Sequence, residues 1–281
     1  MKLLVPTDFS KNARRAVDYA VKIAEKSGAD IILLHAYQII DTESPTRKLL
    51  FEEYNYSIAR KLHDELKFQS SRIAKVHPLI KITAELSDNG VKESILEASA
   101  VADLIVMGTQ GASGLKRIFM GNITASIIGK TSIPVLAIPR LYKWKEPRNI
   151  LLATNRFETN PEILNHIFKL VHLFNAHLHI VVFTDTDNME ITEYAKHENG
   201  LAGYLNKLEK LRGPIKLTTV HLKGSEFEET LQQYIDSNAI DLLAMITYER
   251  GFLEAIFNRS MTKKMAYRTG IPLLALPGKD E

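Results

Sequence analysis

The strongest constraint on this chain is that much of it is written twice. Residues Ala102 to Pro139 align without gaps on Ile240 to Pro277, and 14 of the 38 pairs are identical. Asp103 falls on Asp241, Met107 on Met245, Phe119 on Phe257, Thr124 on Thr262 and Ile133-Pro134 on Ile271-Pro272. The starts correspond too: Lys2-Leu3-Leu4-Val5-Pro6-Thr7-Asp8 sets against Asn149-Ile150-Leu151-Leu152-Ala153-Thr154-Asn155. The offset is 147 at the starts and 138 at the ends, so the second unit is nine residues shorter, between its second and third strands. Whatever the chain folds into must be buildable from either half, and 281 residues suit two domains of about 140. We expect domains over 1–140 and 147–281, with the seam in the polar stretch Arg140 to Arg148, which holds Trp144 and Pro147.

Within the first unit, short apolar runs at Leu3–Pro6, Ile31–Ala36, Leu79–Ala84, Leu104–Met107 and Val135–Ile138 alternate with helical patterns. Such runs read as strands buried on both faces, hence a parallel sheet. Ser10 is placed to cap a helix whose Ala13, Ala16, Val17, Ala20, Ile23 and Ala24 follow three-to-four spacing, and Gly28 ends it. Further helices are expected between Thr46 and Ala74, from about Gly90 to Ala100, and from Gly121 to before Ser132. The second unit repeats the order, with strands near 150–153, 178–183, 215–220, 242–246 and 273–276. The fold class is therefore α/β: two tandem doubly wound parallel sheets, each with strand order 3-2-1-4-5.

Composition removes several functions. A net charge of +3 without a dense lysine or arginine block gives no footprint for nucleic acid. The absence of cysteine excludes disulfides, thiolate metal sites and cysteine nucleophiles. The start carries no longer apolar region with a small-residue cleavage site, which reads as a cytoplasmic start, and no apolar run approaches the ~18 residues a bilayer requires.

In an open parallel sheet, ligands sit beyond the carboxyl ends of the strands, where the strand order reverses. Here that crevice lies between the first and fourth strands. After the fourth, Gly108-Thr109-Gln110-Gly111-Ala112-Ser113-Gly114 is followed, with nine residues between Gly111 and Gly121, by Gly121-Asn122-Ile123-Thr124 at a helix start. Glycines admit close backbone approach, and helix-start amides bind anions, so the pattern suits phosphates. Asp8, ending the first strand, is placed to accept from an adenine amino group, to meet ribose, or to act through hydrated Mg²⁺; its plainer reading is a turn or helix-cap residue. Neither a Walker A loop nor the dinucleotide Gly-x-Gly-x2-Gly is present.

Gly108-x2-Gly111-x9-Gly121 followed by a small polar residue, together with Pro6-Thr7-Asp8, resembles the ATP-binding pattern of the universal stress protein family in its tandem form, over nearly the whole chain. The resemblance implies Asp8 and the backbone of Ala36 near adenine, and Met107 and Gly108 by base and ribose. It implies Gly111, Gly121, Asn122, Ile123 and Thr124 around the phosphates, with Pro6, Thr7 and Gln110 also among the nucleotide-binding residues. Asn122 departs from the family's usual Ser or Thr, while keeping groups that bond phosphate. The implied cofactor is ATP or another adenine nucleotide; no metal site is expected in the protein alone, with Mg²⁺ entering, if at all, with the nucleotide. The family also pairs domains through their fifth strands, which implies an intramolecular pseudo-dimer here and leaves a homodimer open.

The second unit carries Ile246, Glu249, Phe252 and Arg259 where the first has Gly108, Gly111, Gly114 and Gly121, and Asn155 for Asp8. Bulk and a carboxylate replace space, so its site is expected to be lost while the fold persists. His166, His172, His177 and His179 read as core-edge or solvated groups rather than zinc ligands, and Met245 and Met265 as core filler. No Gly-x-Ser-x-Gly elbow is present, and Ser113 has no evident base. The expected function is a cytoplasmic, regulatory, stress-response nucleotide-binding protein. The alternatives are a slow ATPase or other adenine-nucleotide enzyme, and an interaction scaffold with no nucleotide.

Overall fold

A computed structural model describes residues 1–39, 45–109, 121–154, 157–185, 213–247 and 270–278, with residues 200, 203, 204, 206–208 and 210 between them. In the first unit β1 (Lys2–Pro6), α1 (Lys11–Ser27), β2 (Asp30–Ala36), α2 (Pro45–Val76), β3 (Ile82–Ser87), α3 (Val91–Ser99), β4 (Leu104–Gly108), α4 (Asn122–Ile128) and β5 (Val135–Ile138) follow in turn. The second unit gives β6 (Asn149–Thr154), α5 (Pro161–Phe174), β7 (His177–Asp185), β8 (Leu217–Gly224), α6 (Phe227–Ser237), β9 (Leu242–Thr247) and β10 (Leu273–Pro277).

The strands form one ten-stranded sheet in the order β3-β2-β1-β4-β5-β10-β9-β6-β7-β8. Each half has the expected 3-2-1-4-5 order, and every pairing is parallel except β5 with β10. Those two run antiparallel, Ala137 opposite Leu273 and Val135 opposite Ala275. The fifth strands thus join the two units into one sheet, as a pseudo-dimer would. Ladder continuity removes two edges that would otherwise be open to other chains.

Central strands are apolar on both faces because both are covered. Leu3, Val5, Leu33 and Val106 meet Ala16, Ala20 and Ile23 of α1 and Leu66 of α2, and the same core continues through Ile163, Ile167 and Val171 of α5. On the other face the cores are separate: Leu4, Ile32, Ile105, Ile95 and Ile127 in the first unit, and Leu151, Val181, Leu231 and Ile235 in the second. Ser10 caps α1 by accepting from the Ala13 amide at 3.1 Å, and Gly28 closes it in the left-handed region.

The seam packs between the units. Trp144 meets Tyr19 of α1 edge-on at 4.6 Å and lies 6.0 Å from Phe174 of α5. Asp103 and Asp241, identical across the repeat, do one structural task twice. Asp103 accepts from the Lys2 amide at 2.7 Å, and Asp241 from the Arg148 and Asn149 amides at 2.8 and 3.1 Å. Each ties the fourth strand of its unit to the start of the first.

Two strands differ from expectation. β3 starts at Ile82 rather than Leu79, which is 99% exposed. α2 continues to Val76, and the Ile80 amide closes a turn on the His77 carbonyl at 3.1 Å, so the chain cannot enter the sheet sooner. β8 covers 217–224 rather than 215–220. No helix among the described residues is long and apolar enough to cross a membrane.

Candidate nucleotide site

The crevice at the strand-order reversal is built from the exits of β1 and β4. Pro6 ends β1 half-buried, and the Thr7 amide donates to the Leu34 carbonyl at 2.8 Å, extending the ladder by one residue. The chain then turns sharply. The Phe9 amide donates to Thr7 Oγ1 at 3.1 Å, and the Ser10 amide to Asp8 Oδ1 at 3.0 Å. Asp8 is therefore a turn former as well as a site candidate. A carboxylate offers about four lone-pair positions, so this bond does not exhaust it.

On the other wall, Met107 is buried in the sheet and Gly108 is half-buried at its edge. A Cβ at Gly108 would lie 2.4 Å from Asn12 Nδ2, so the side chain of α1 itself requires glycine there. Gly121 differs: its φ of −61° and ψ of 148° are open to any residue. A glycine there adds no side chain in front of the opening turn of α4. Asn122 and Ile123 are exposed at that opening, where the first amides of the helix have no preceding carbonyl to bond. Thr124 is 2% exposed, and its hydroxyl donates to the Gly108 carbonyl at 2.9 Å. Its side chain straps α4 to β4 instead of facing outward, which leaves its backbone amide as its contribution. Gln110 and Gly111 lie outside the described residues.

Ala36 ends β2, and beyond it a cleft of about 450 Å³ opens, lined by Gln38, Ile39, Asp88, Asn89, Val91 and Ile123 among others. That volume falls in the range of small-molecule pockets. Its floor is fixed by pairing of Gln38 with Asn89 and by the Tyr37 amide donating to the Ser87 carbonyl at 2.9 Å. Burial first, then the nearby Asp88 carboxylate, raises the Tyr37 hydroxyl above its ordinary pKa. Of the described residues proposed from sequence, only Ile123 lines this cleft. The exits of β2 and β3 carry no motif; the signal available was positional, since both end at the same carboxyl edge of the sheet as β1 and β4.

At the matching edge of the second unit, a side chain stands where the first unit has none. Ile246, at the place of Gly108, is 2% exposed, and Thr247 donates to the Leu276 carbonyl at 3.1 Å. Phe157 packs on Tyr204 with ring centroids 5.1 Å apart, and burial, then Glu158, pushes the Tyr204 hydroxyl well above its usual range. Asn155, Glu249, Phe252 and Arg259 lie outside the described residues. The histidines of this unit do not gather into one set: His177 and His179 pack together with ring centroids 4.3 Å apart, and each bonds a different hydroxyl. His177 bonds Thr218 Oγ1 at 2.8 Å and His179 bonds the Tyr234 hydroxyl at 2.8 Å, while His166 and His172 belong to α5. Among the described residues no three His, Asp or Glu side chains group as a metal site.

The sequence profile of the universal stress protein family matches this chain twice, over residues 1–139 and 146–277. The chain belongs to the universal stress protein family. A universal stress protein of Methanocaldococcus jannaschii is 30% identical over 165 residues, covering 50% of this chain and 94% of that protein. One from Synechocystis is 23% identical over 295 residues, covering 97% of this chain and 98% of its own length. Among solved structures, a universal stress protein from Archaeoglobus fulgidus superposes with a TM-score of 0.66 at 18% identity, covering 99% of this chain and 97% of that one. The last likeness speaks for the fold, and it extends across both halves of this universal stress protein.

Proposed function

We propose that the N-terminal unit binds ATP or another adenine nucleotide as a regulatory ligand, and that the C-terminal unit is a degenerate copy retained for the sheet it completes. The observation that carries this reading is the asymmetry at one position of the fold. Where β4 ends in Gly108 beside the open start of α4, β9 carries the buried Ile246 at the equivalent position and runs one residue further to Thr247. Family membership supports a stress-response role.

In this reading the base lies toward Asp8 and the cleft beyond Ala36, where Ile39 and Ile123 offer apolar walls. The phosphates lie against the amides that open α4, with Gly121 leaving the approach clear and Asn122 offering an amide donor. The donor set fits a nucleotide: one carboxylate at the base end, and backbone amides with little side-chain bulk at the phosphate end. Mg²⁺ would be held by phosphate oxygens. Domain limits of 1–140 and 147–281 belong to the same proposal.

The test is mass spectrometry of small molecules released from freshly purified protein, beside a Gly121→Glu variant. Adenine nucleotide is expected from the parent and none from the variant. ATP at 100 times its dissociation constant should stabilise the parent by about 2.7 kcal/mol. A cofactor of another class, or no ATP-dependent stabilisation, would overturn the proposal.

A further inference from the structure

The turn that presents Asp8 is held in a form its own residues disfavour. Phe9 has φ of 62°, in the left-handed region, which bulky non-glycine residues seldom occupy unless their surroundings impose it. Packed against this turn is His35, the penultimate residue of β2. Its ring stacks on Phe9 with centroids 4.4 Å apart and planes 28° from parallel. Its Nδ1 lies 2.7 Å from the Thr7 carbonyl oxygen. A carbonyl only accepts, so Nδ1 carries the hydrogen and His35 donates. His35 is 9% exposed and is gripped from both sides by residues that flank Asp8.

The second unit serves as a control. Thr154 repeats Thr7 and stands opposite Val182 in the ladder, the position that His35 holds in the first unit. Phe9 corresponds to Arg156 and Asp8 to Asn155. The threonine that any turn here could use is kept, while His35, Phe9 and Asp8 are lost together.

We propose that His35 and Phe9 are positioning residues: they lock the turn after β1 and so aim the Asp8 carboxylate into the crevice before ligand arrives. This rests on the nucleotide reading above. Preorganisation of this kind improves affinity by removing the ordering cost from the binding step. The pair acts through Asp8, and the test exploits that dependence.

ATP binding is measured by titration calorimetry on the full chain as parent, His35→Val, Phe9→Gly, Asp8→Ala, and each of the first two combined with Asp8→Ala. Phe9→Gly removes the ring and leaves a residue at ease with positive φ, so the fold does not depend on the result. Phe9→Tyr keeps a ring to stack and should restore affinity. His35→Val and Phe9→Gly are each expected to weaken ATP binding roughly tenfold, and less than about twofold once Asp8 is alanine. Equal weakening in both backgrounds would mean that the pair merely supports the fold. Unchanged affinity in the single variants would likewise overturn the proposal and leave the nucleotide reading standing. If the parent binds no ATP, both readings fall.

Discussion

The two halves of this protein share a sheet order and an aspartate that fastens the first strand to the fourth, yet they use the same carboxyl edge differently. In the first, Gly108 makes room for Asn12 of α1, Thr124 straps α4 to β4, and a cleft opens beyond β2 and β3. In the second, Ile246 fills the corresponding position and Phe157 closes on Tyr204. Helix starts differ too. α1 begins at Lys11 under a serine cap, whereas α5 is three residues shorter, begins at Pro161 under Asn160, and leaves Glu158 buried ahead of it. Residues common to the halves hold the sheet together, and residues that differ shape its edge. Fold and site can therefore be inherited separately, because the core needs only apolar strands while the crevice needs space.

If that division is right, exchanging edge residues should cost the halves unequally. The largest effect is expected at Ile246: replacement by alanine removes buried apolar volume and should lower stability by about 2–5 kcal/mol, read from urea midpoints. Asp241→Ala should follow, at about 2–3 kcal/mol, because it leaves two amides and Lys145 without their shared acceptor; the 2.6 Å contact with Lys145 is largely solvent-facing on the lysine side. Asp103→Ala, removing one exposed bond, should cost less than about 1 kcal/mol. Equal losses at the two aspartates would break the comparison. Gly108→Ala should cost about 1–3 kcal/mol through its clash with Asn12 before any effect on ligand is counted.

A smaller difference should appear with pH. Burial, then neighbouring His177, depresses His179 from 6.5 to about 4, and burial also lowers His177. The unfolded chain then binds protons that the folded chain refuses. Stability is complete above the ordinary histidine range and is lost as pH falls from about 6.5 toward 4. The first unit has Ile32 at the place of His179. His179→Ile should flatten the acid limb of a plot of urea midpoint against pH; an unchanged limb would assign it elsewhere. Least of all, Glu146→Ala should change stability by no more than about 1 kcal/mol, since its 2.8 Å pair with Lys26 is exposed on both sides.

The sequence made the fold legible because the repeat fixed the unit and the central strands are unbroken apolar runs. It misplaced β3 and β8, which are the two outer strands of the sheet. Edge strands face water along one side and admit Thr218, Thr219, His221 and Lys223, so periodicity there is a weak signal. Pro6, Thr7, Asp8, Gly108 and Gly121 stand out as candidates in the sequence because they form a spaced pattern. Gln38, Asp88 and Asn89 do not, since the cleft they line arises from where two strands happen to end. The strap made by Thr124 and the left-handed turn at Phe9 are facts of side-chain direction and backbone angle, which residue types alone do not encode.

The most direct test of the asymmetry is the stoichiometry of ATP binding by calorimetry, on the parent and on Gly121→Arg, which installs the residue found at the equivalent place in the second unit. One ATP per chain in the parent and none in Gly121→Arg is the predicted result. Two per chain, or undiminished binding in the variant, would contradict it.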